Sequence, residues 1–146
     1  MSNEALIVDT GRRICALPID VVLETMRPLP LEALAAAPEY VLGVALIRGE
    51  AVPVADLEAL LSGRHEGAEY GRFVIVRPGE RRVALAVEKV LGVRSIVHAT
   101  ESLAPLIASS REAGVRVVEV QDQQLMTILE SSRVIPAATW RDWEAR

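Results

Sequence analysis

The stretch YVLGVALIRGEAVPVADLEALL, from Tyr40 to Leu61, decides the fold of this chain. It begins with an aliphatic run that ends at Ile47, is rich in β-branched residues and predicts a buried strand. Arg48-Gly49-Glu50 interrupts this run, and Gly49 can supply the positive φ that a tight hairpin needs. A second aliphatic run follows, so the stretch predicts a β-hairpin with Arg48 at its turn, where a charge can face a partner.

The end of this stretch predicts a change of secondary structure. Pro53 lacks the N–H that a strand donates to its neighbour, so the returning strand is expected at a sheet edge or with a bulge. Asp56 can accept a hydrogen bond at the start of a helix, and Leu57 to Leu61 predict a short helix that ends at Ser62-Gly63.

The composition predicts a folded, strongly aliphatic protein. A length of 146 residues suits one domain, or two small subdomains with a common core. A hydrophobic content of 51% and a mean hydropathy of +0.27 argue firmly against disorder. No apolar run approaches the roughly 20 residues of a membrane helix, so direct membrane insertion is not expected.

The N-terminus, the single cysteine and the charge favour a cytoplasmic protein that does not bind nucleic acid. The sequence MSNEALIVDTGRR lacks the basic start and long apolar core of a signal peptide. Cys15 is the only cysteine, which excludes an internal disulfide and fits a reducing compartment. A net charge of −4 and a scarcity of aromatic residues disfavour a nucleic-acid partner.

Short strands separated by turns are predicted on both sides of the opening stretch. Leu6 to Val8 and Arg12 to Ile19 predict a hairpin, whereas Asp20 to Met26 fits either a helical turn or a further strand. Leu31 to Ala37 is rich in alanine and predicts a short helical turn. Further strands are predicted at Phe73–Val76, Arg81–Val87, Glu88–Val97, Val115–Val120 and Leu125–Leu129.

The two halves of the chain resemble each other. Ala16 to Leu23 and Ala84 to Leu91 both follow the pattern A-L-x-aliphatic-acid-x-V-L, at an offset of 68 residues. Gly43-Val44 and Gly114-Val115 open similar strand-turn-strand patterns at an offset of 71. The pattern favours a duplicated all-β unit whose copies share a hydrophobic seam, although short strands can also resemble one another by chance.

No catalytic or metal-binding motif is evident. His65 and His98 each lack a second ligand at metal spacing, and Cys15 lies in an apolar strand, where a core role is favoured. The sequence has no nucleophile elbow, no dinucleotide fingerprint and no P-loop. We therefore expect neither an enzyme nor a bound cofactor or metal ion.

Two charged residues in apolar surroundings, and two tryptophans, are the candidates for a protein-binding surface. Glu24 and Arg48 are either solvated charges or a pair that leaves arginine donors aimed outward. Trp140 and Trp143 share one helix face at i, i+3, which either packs on the fold or anchors a partner.

The order of several short motifs resembles the CheW family, the coupling proteins of bacterial chemotaxis. The matching blocks run from about residue 5 to 135 and include A-L-P-I (Ala16–Ile19), V-x-E (Val22–Glu24), P-x-Y-V-x-G-V (Pro38–Val44), R-G-x-x-V-P-V-x-D-L (Arg48–Leu57) and A-V-E-x-V (Ala86–Val90). The departures include Leu46, where the family usually has asparagine, and Glu88, where it has aspartate.

The resemblance implies an all-β fold of two SH3-like, five-stranded β-barrel subdomains that share a hydrophobic core, with short helices. It implies a single CheW-like domain over 1–135, with subdomains at about 11–63 and 72–132. The N-terminal strand could be shared between the two subdomains. Residues 136–146 would form a helical tail.

The resemblance also implies a non-enzymatic adaptor that binds the regulatory domain of the CheA histidine kinase and the cytoplasmic tip of chemoreceptors, a helical hairpin suited to an aliphatic groove. The implied partner-binding residues are polar Glu24, Arg48 and Gly49, with Val22, Leu46, Val87 and Val90. The alternatives are a CheW-like module of a divergent system, such as a type IV pilus system, and a small-ligand-binding β-barrel protein.

Overall fold

The aliphatic runs form the strands of two β-sheets in the computed structural model, which describes residues 4–35, 37–63, 69–77 and 80–95 and the backbone of 116–119. The strands are β1 (Glu4–Asp9), β2 (Arg13–Pro18), β3 (Val22–Met26), β4 (Val41–Ile47), β5 (Glu50–Asp56), β6 (Arg72–Val76), β7 (Val83–Val87), β8 (Lys89–Ser95) and β9 (Arg116–Glu119). A 3₁₀ turn spans Ile19–Val21, and helix α1 spans Leu57–Ser62.

The described strands confirm the all-β class. Sheet one has the order β8-β1-β2-β9, and sheet two has the order β3-β6-β7-β5-β4. Neighbouring strands are antiparallel, apart from the parallel pairs β2–β9 and β5–β7. Neither sheet closes on itself within the described residues, so the two SH3-like barrels stay a prediction.

Strands that follow one another in the chain are divided between the two sheets. Strand β3 follows β2 in the chain but pairs with β6 in sheet two, and β8 follows β7 but pairs with β1 in sheet one. Both sheets therefore contain strands from both halves. The division into subdomains at about 11–63 and 72–132, and the sharing of the N-terminal strand, stay predictions.

The registers of these exchanged strands confirm the repeat at an offset of 68. Val22 pairs with Val76, and Val8 pairs with Val90. Moving the first pair by 68 residues, forwards for Val22 and backwards for Val76, gives the second pair. Both ladders are irregular next to these pairs, so the bulge is repeated as well. The second match at an offset of 71 involves 114–115, which lie outside the described residues.

Two hydrophobic cores lie on opposite faces of sheet two. The intersheet core joins both sheets and consists of Leu6, Val8, Cys15, Leu17, Ala55, Leu57, Val74, Val76, Val83, Leu85 and Val87. The outer core lies on the other face and consists of Ala45, Ile47, Val52, Val54, Phe73, Ile75, Ala84 and Ala86, with Met26 packed against it. All five strands of sheet two thus contribute to the outer core.

The opening stretch folds largely as its local chemistry predicts. Strands β4 and β5 form the expected hairpin. The Ala59 backbone N–H donates to Asp56 Oδ1 at 3.2 Å, which caps α1, and Gly63 ends the helix in the left-handed conformation with a φ of 74°. The segment from Asp20 to Met26, which the sequence left open, is the end of a 3₁₀ turn followed by β3.

The expectation for Pro53 was wrong. Strand β5 lies between β4 and β7, and the ladder of β4 with β5 shifts near Val41 rather than at Pro53. Val44 faces Pro53 but exchanges both of its backbone hydrogen bonds with Glu32, at 2.8 Å each. Parallel pairing with β7 starts only at Val54. Pro53 therefore occupies an interior strand because no neighbour requires its missing N–H.

The helical turn predicted from Leu31 is also wrong, because Glu32 forms an isolated antiparallel bridge with Val44 instead. This approach requires glycine in β4, since Gly43 has a φ of 149° and an added Cβ would lie 2.6 Å from the Glu32 carbonyl oxygen. The backbone contact outweighs the helix propensity of the alanines, because propensity alone does not hold so short a segment in a helix.

A largely buried ion pair ties α1 to the hairpin of sheet one. Arg13 Nε donates to Glu58 Oε1 at 2.7 Å, and a second guanidinium nitrogen donates to Glu58 Oε2 at 2.8 Å. The Thr10 hydroxyl also donates to Glu58 Oε1, at 2.8 Å. The side chains of Arg13 and Glu58 are only 16% and 9% exposed, so each charge depends on the other to compensate for its lost hydration.

Replacement of Arg13 by alanine is expected to lower the free energy of unfolding by about 3 kcal/mol, because Glu58 would stay covered without its cation. Urea denaturation followed by circular dichroism measures this change. The matched control is Arg72→Ala, which removes an exposed arginine from β6. Equal, small effects of both substitutions would show that the Arg13–Glu58 pair contributes little.

Candidate functional site

The turn between β4 and β5 projects Arg48 from the end of sheet two. Ile47 pairs with Glu50, so Arg48 and Gly49 form a two-residue loop with φ values of 52° and 78°. Positive φ at both positions is typical of a type I′ turn, whose twist matches that of the flanking strands. The predicted positive φ of Gly49 is confirmed. The left-handed conformation of Arg48 was not expected, because residues with a Cβ disfavour it.

Glu24 and Arg48 meet, as one of the two sequence hypotheses proposed. Arg48 Nε donates to Glu24 Oε2 at 2.8 Å, and a terminal nitrogen of Arg48 donates to Glu24 Oε1 at 3.0 Å. This is the two-pronged geometry that a planar guanidinium favours with a carboxylate. Because β3 and β4 are the two edge strands of sheet two, the ion pair joins one edge of that sheet to the turn that follows the other edge.

The pair is held in place while most of the arginine remains in contact with solvent. The Arg48 side chain is 68% exposed. Its hydrogen bonds lower the pKa of the Glu24 carboxyl, and the positive charge of Arg82 lowers that pKa further. The carboxylate in turn raises the pKa of Arg48. An ion pair this exposed adds little to stability, so its main physical effect is to orient the guanidinium.

The apolar candidates differ widely in their access to a partner. The Leu46 side chain is 70% exposed, whereas Val22 and Val90 are partly buried against the intersheet core. Val87 is only 1% exposed and belongs to that core, so its placement on a partner surface needs correction. The alternation of β7 turns Val87 inward, and the sequence motif alone could not show this direction. Leu23, beside Glu24, is about half exposed and was not predicted.

Among the described residues, those considered for chemistry give no indication of a reactive centre. Cys15 is fully buried in the intersheet core, as expected, and this burial raises the pKa of its thiol to about 12. Within the described ranges, no group of three or more His, Cys, Asp or Glu residues could hold a metal ion. His65, His98, Trp140 and Trp143 lie outside those ranges.

Sequence reasoning missed several polar contacts between distant residues. The Tyr70 hydroxyl donates to Asp56 Oδ2 at 2.7 Å, so the cap of α1 has a second partner. A terminal nitrogen of Arg82 lies 3.4 Å from Glu50 Oε2 at the start of β5. With the Arg13–Glu58 pair, these contacts join residues at least 14 positions apart, and no local pattern identifies such partners.

A family model for the CheW-like domain matches residues 4–139. The chain belongs to the CheW-like domain family. This family consists of non-enzymatic scaffold and adaptor proteins, so the expectation that the chain is not an enzyme is confirmed at the level of the family.

A CheW structure also shares the fold. The scaffolding protein TtCheW from Thermoanaerobacter tengcongensis superposes with a TM-score of 0.57 at 24% sequence identity. The match covers 66% of this chain and 66% of that chain, and at this identity it shows the fold alone. A comparison with curated proteins gave no match.

The described residues also contain no helix of sufficient length and apolar character to cross a membrane. The longest helix described is α1, with six residues.

The Glu24 carboxyl is expected to titrate below the ordinary range for glutamate, and Arg48→Gln should raise its pKa because the donated hydrogen bonds are lost. Carboxyl-detected NMR titration measures both values. Since the folded pKa is the lower one, the stabilisation is present above the unfolded pKa and disappears as the pH falls through the folded pKa.

The matched control for this titration is Arg72→Gln, which removes an exposed charge from β6 and should leave the pKa of Glu24 unchanged. If Glu24 titrates normally in the unmodified protein, the ion pair does not persist in solution.

Proposed function

We propose that this chain is a cytoplasmic, non-enzymatic adaptor of bacterial chemosensory signalling that couples chemoreceptors to a CheA-type histidine kinase. The supporting observation is the Glu24–Arg48 pair, which orients an exposed guanidinium at the end of sheet two in a CheW-like domain. The partners would be the kinase regulatory domain, itself CheW-like, and the helical hairpin at the receptor tip.

The geometry of Arg48 suits a directional contact with such partners. A guanidinium has five N–H donors, and Glu24 engages two of them, one on Nε and one on a terminal nitrogen. The remaining donors are available to carbonyl or carboxylate oxygens of another protein. Since the carboxylate already limits the rotation of the side chain, less conformational entropy is lost when a partner binds.

The neighbouring apolar residues would supply the hydrophobic part of the contact. Leu46 projects from the edge strand β4 two positions before Arg48, and Leu23 lies next to Glu24. An exposed leucine that becomes covered by a partner contributes roughly 25 cal/mol per Å² of buried apolar surface. Val22 and Val90 are available only in part, because their side chains pack on the core.

The proposal includes closure of the sheets into two SH3-like, five-stranded barrels. The outer core supports this for sheet two, because side chains from all five strands pack together on one face. The ion pair between Glu24 on β3 and Arg48 just after β4 also supports a curled sheet whose edges approach each other. The equivalent closure of sheet one would require residues outside the described ranges.

Leu46 favours a divergent pathway, such as a pilus-type chemosensory system, as a second candidate. The family usually has asparagine there, and the 70% exposure of Leu46 places the difference on the surface. An exchange of amide for leucine removes hydrogen-bonding groups and adds apolar area, so it changes which receptor side chains would fit.

Arg48→Glu is expected to weaken binding to the kinase regulatory domain, the receptor-tip hairpin or both by at least about tenfold. The substitution removes the outward-facing N–H donors and introduces a carboxylate that Glu24 repels. Isothermal titration calorimetry with each purified partner from the same organism measures this effect. The thermal midpoint should change little.

The control is Arg72→Glu, which makes the same charge change on β6 and should preserve both affinities. Wild-type affinity in Arg48→Glu would place the binding surface elsewhere, and loss of folding in that variant would assign Arg48 a structural role instead.

A further inference from the structure

A second ion pair lies on the same hairpin as the first. Arg82 precedes β7, and one of its terminal nitrogens lies 3.4 Å from Glu50 Oε2. Glu50 pairs with Ile47 to close the turn that carries Arg48. The turn therefore carries a positive charge on Arg48 and a negative charge on Glu50, and the two charges pair with different parts of sheet two.

The pairings place Arg82 close to the strand that carries Glu24. The residue after Arg82 is Val83, which pairs with Val76 on β6, and Val76 pairs with Val22 on β3. The electrostatic effect of Arg82 on Glu24 is consistent with this proximity, although the ion pair of Arg82 is with Glu50. Four charges of alternating sign thus occupy one end of the sheet: Arg48, Glu24, Arg82 and Glu50.

We propose that Arg82 and Glu50 are positioning residues, which fix the geometry in which the Glu24–Arg48 pair presents its remaining donors to a partner. The positioning is a property of the free protein. Its contribution to partner binding rests on the proposed adaptor function. The inference adds Glu50 of β5 and Arg82, just before β7, to a surface that otherwise consists of β3 and the β4–β5 turn.

The physical reason is competition between like charges for the same partners. Without Arg82, the hairpin end would carry two carboxylates and one guanidinium, and Arg48 could divide its hydrogen bonds between Glu24 and Glu50. Without Glu50, Arg82 would be free to compete with Arg48 for Glu24. The first loss would weaken the two-pronged contact, and the second would bring a rival donor to Glu24, because Arg48 is held by two hydrogen bonds rather than by burial.

The two losses have opposite electrostatic effects on Glu24, which separates positioning from general disruption. Arg82→Gln removes a positive charge and should raise the pKa of Glu24, whereas Arg82→Lys retains the charge and should largely restore it. Glu50→Gln leaves Arg82 unneutralised and should lower that pKa further. Carboxyl-detected NMR titration of the free protein measures all three. The control is Arg72→Gln, an exposed arginine at the opposite end of β6, which should have no effect.

A pKa of Glu24 that is unchanged in Arg82→Gln and Glu50→Gln, or that shifts in the same direction in both, would overturn the positioning role. Shifts in opposite directions, with rescue by lysine, would support it. A purely structural defect would lack this signature, since it would not depend on the sign of the charge removed.

The second measurement is affinity for the purified CheA regulatory domain and the receptor-tip hairpin, by calorimetry. Arg82→Gln and Glu50→Gln should each weaken binding by about two- to fivefold, with Arg82→Lys near wild type. If the unmodified chain binds neither protein, the adaptor proposal fails, and the titration still decides the positioning role. If it binds and both variants bind equally well, the contribution to partner binding is overturned and the adaptor proposal stands.

Discussion

Burial of sheet two on both faces is the constraint on which the rest of the structure depends. Alternate side chains of β6 and β7 enter different cores, so Val74 and Leu85 join the intersheet core while Phe73 and Ala84 join the outer core. A strand covered on both sides has to be apolar at nearly every position, which is what the sequences FVIV and VALAV provide. Sheet one and α1 then cover the inner face, and the ends of sheet two remain for polar contacts.

The duplication is built into this arrangement through reciprocal strand exchange. Because β3 pairs with β6 and β8 pairs with β1, neither half can complete its own sheet pairing alone. Each half therefore depends on the other for backbone hydrogen bonds as well as for hydrophobic burial. The repeated bulge shows that the equivalence extends to single residues, and not only to the order of strands.

The candidate site breaks this symmetry. The position equivalent to Glu24 at the offset of 68 is Gly92, which has no side chain to bind an arginine. The duplicated scaffold thus supplies two equivalent edges, and only the one formed by β3 carries the acid of the ion pair. An exposed ion pair adds little to folding, so the presence of Glu24 on one edge is better explained by orientation of Arg48 than by stability.

By itself, the sequence determined the elements whose physics is local. The β4–β5 hairpin, the positive φ of Gly49, the Asp56 cap, the left-handed end at Gly63 and the burial of Cys15 all follow from residues within a few positions. The repeat at an offset of 68 residues could also be recognised in the sequence, because similar strands follow one another in the same order in both halves. Even the meeting of Glu24 with Arg48 was available as one of two hypotheses, though local patterns could not choose between them.

Only the tertiary structure decided which distant groups meet and which faces turn inward. Pro53 is accepted in an interior strand because Glu32 forms the backbone hydrogen bonds with Val44, which faces Pro53. The Val87 side chain is inaccessible to a partner because β7 is covered on both sides. The pairs Arg13–Glu58 and Arg82–Glu50 unite residues that are far apart in the chain. Such contacts depend on the assembled packing of several strands, and a periodicity of two or 3.6 residues specifies the face of an element but not its neighbour.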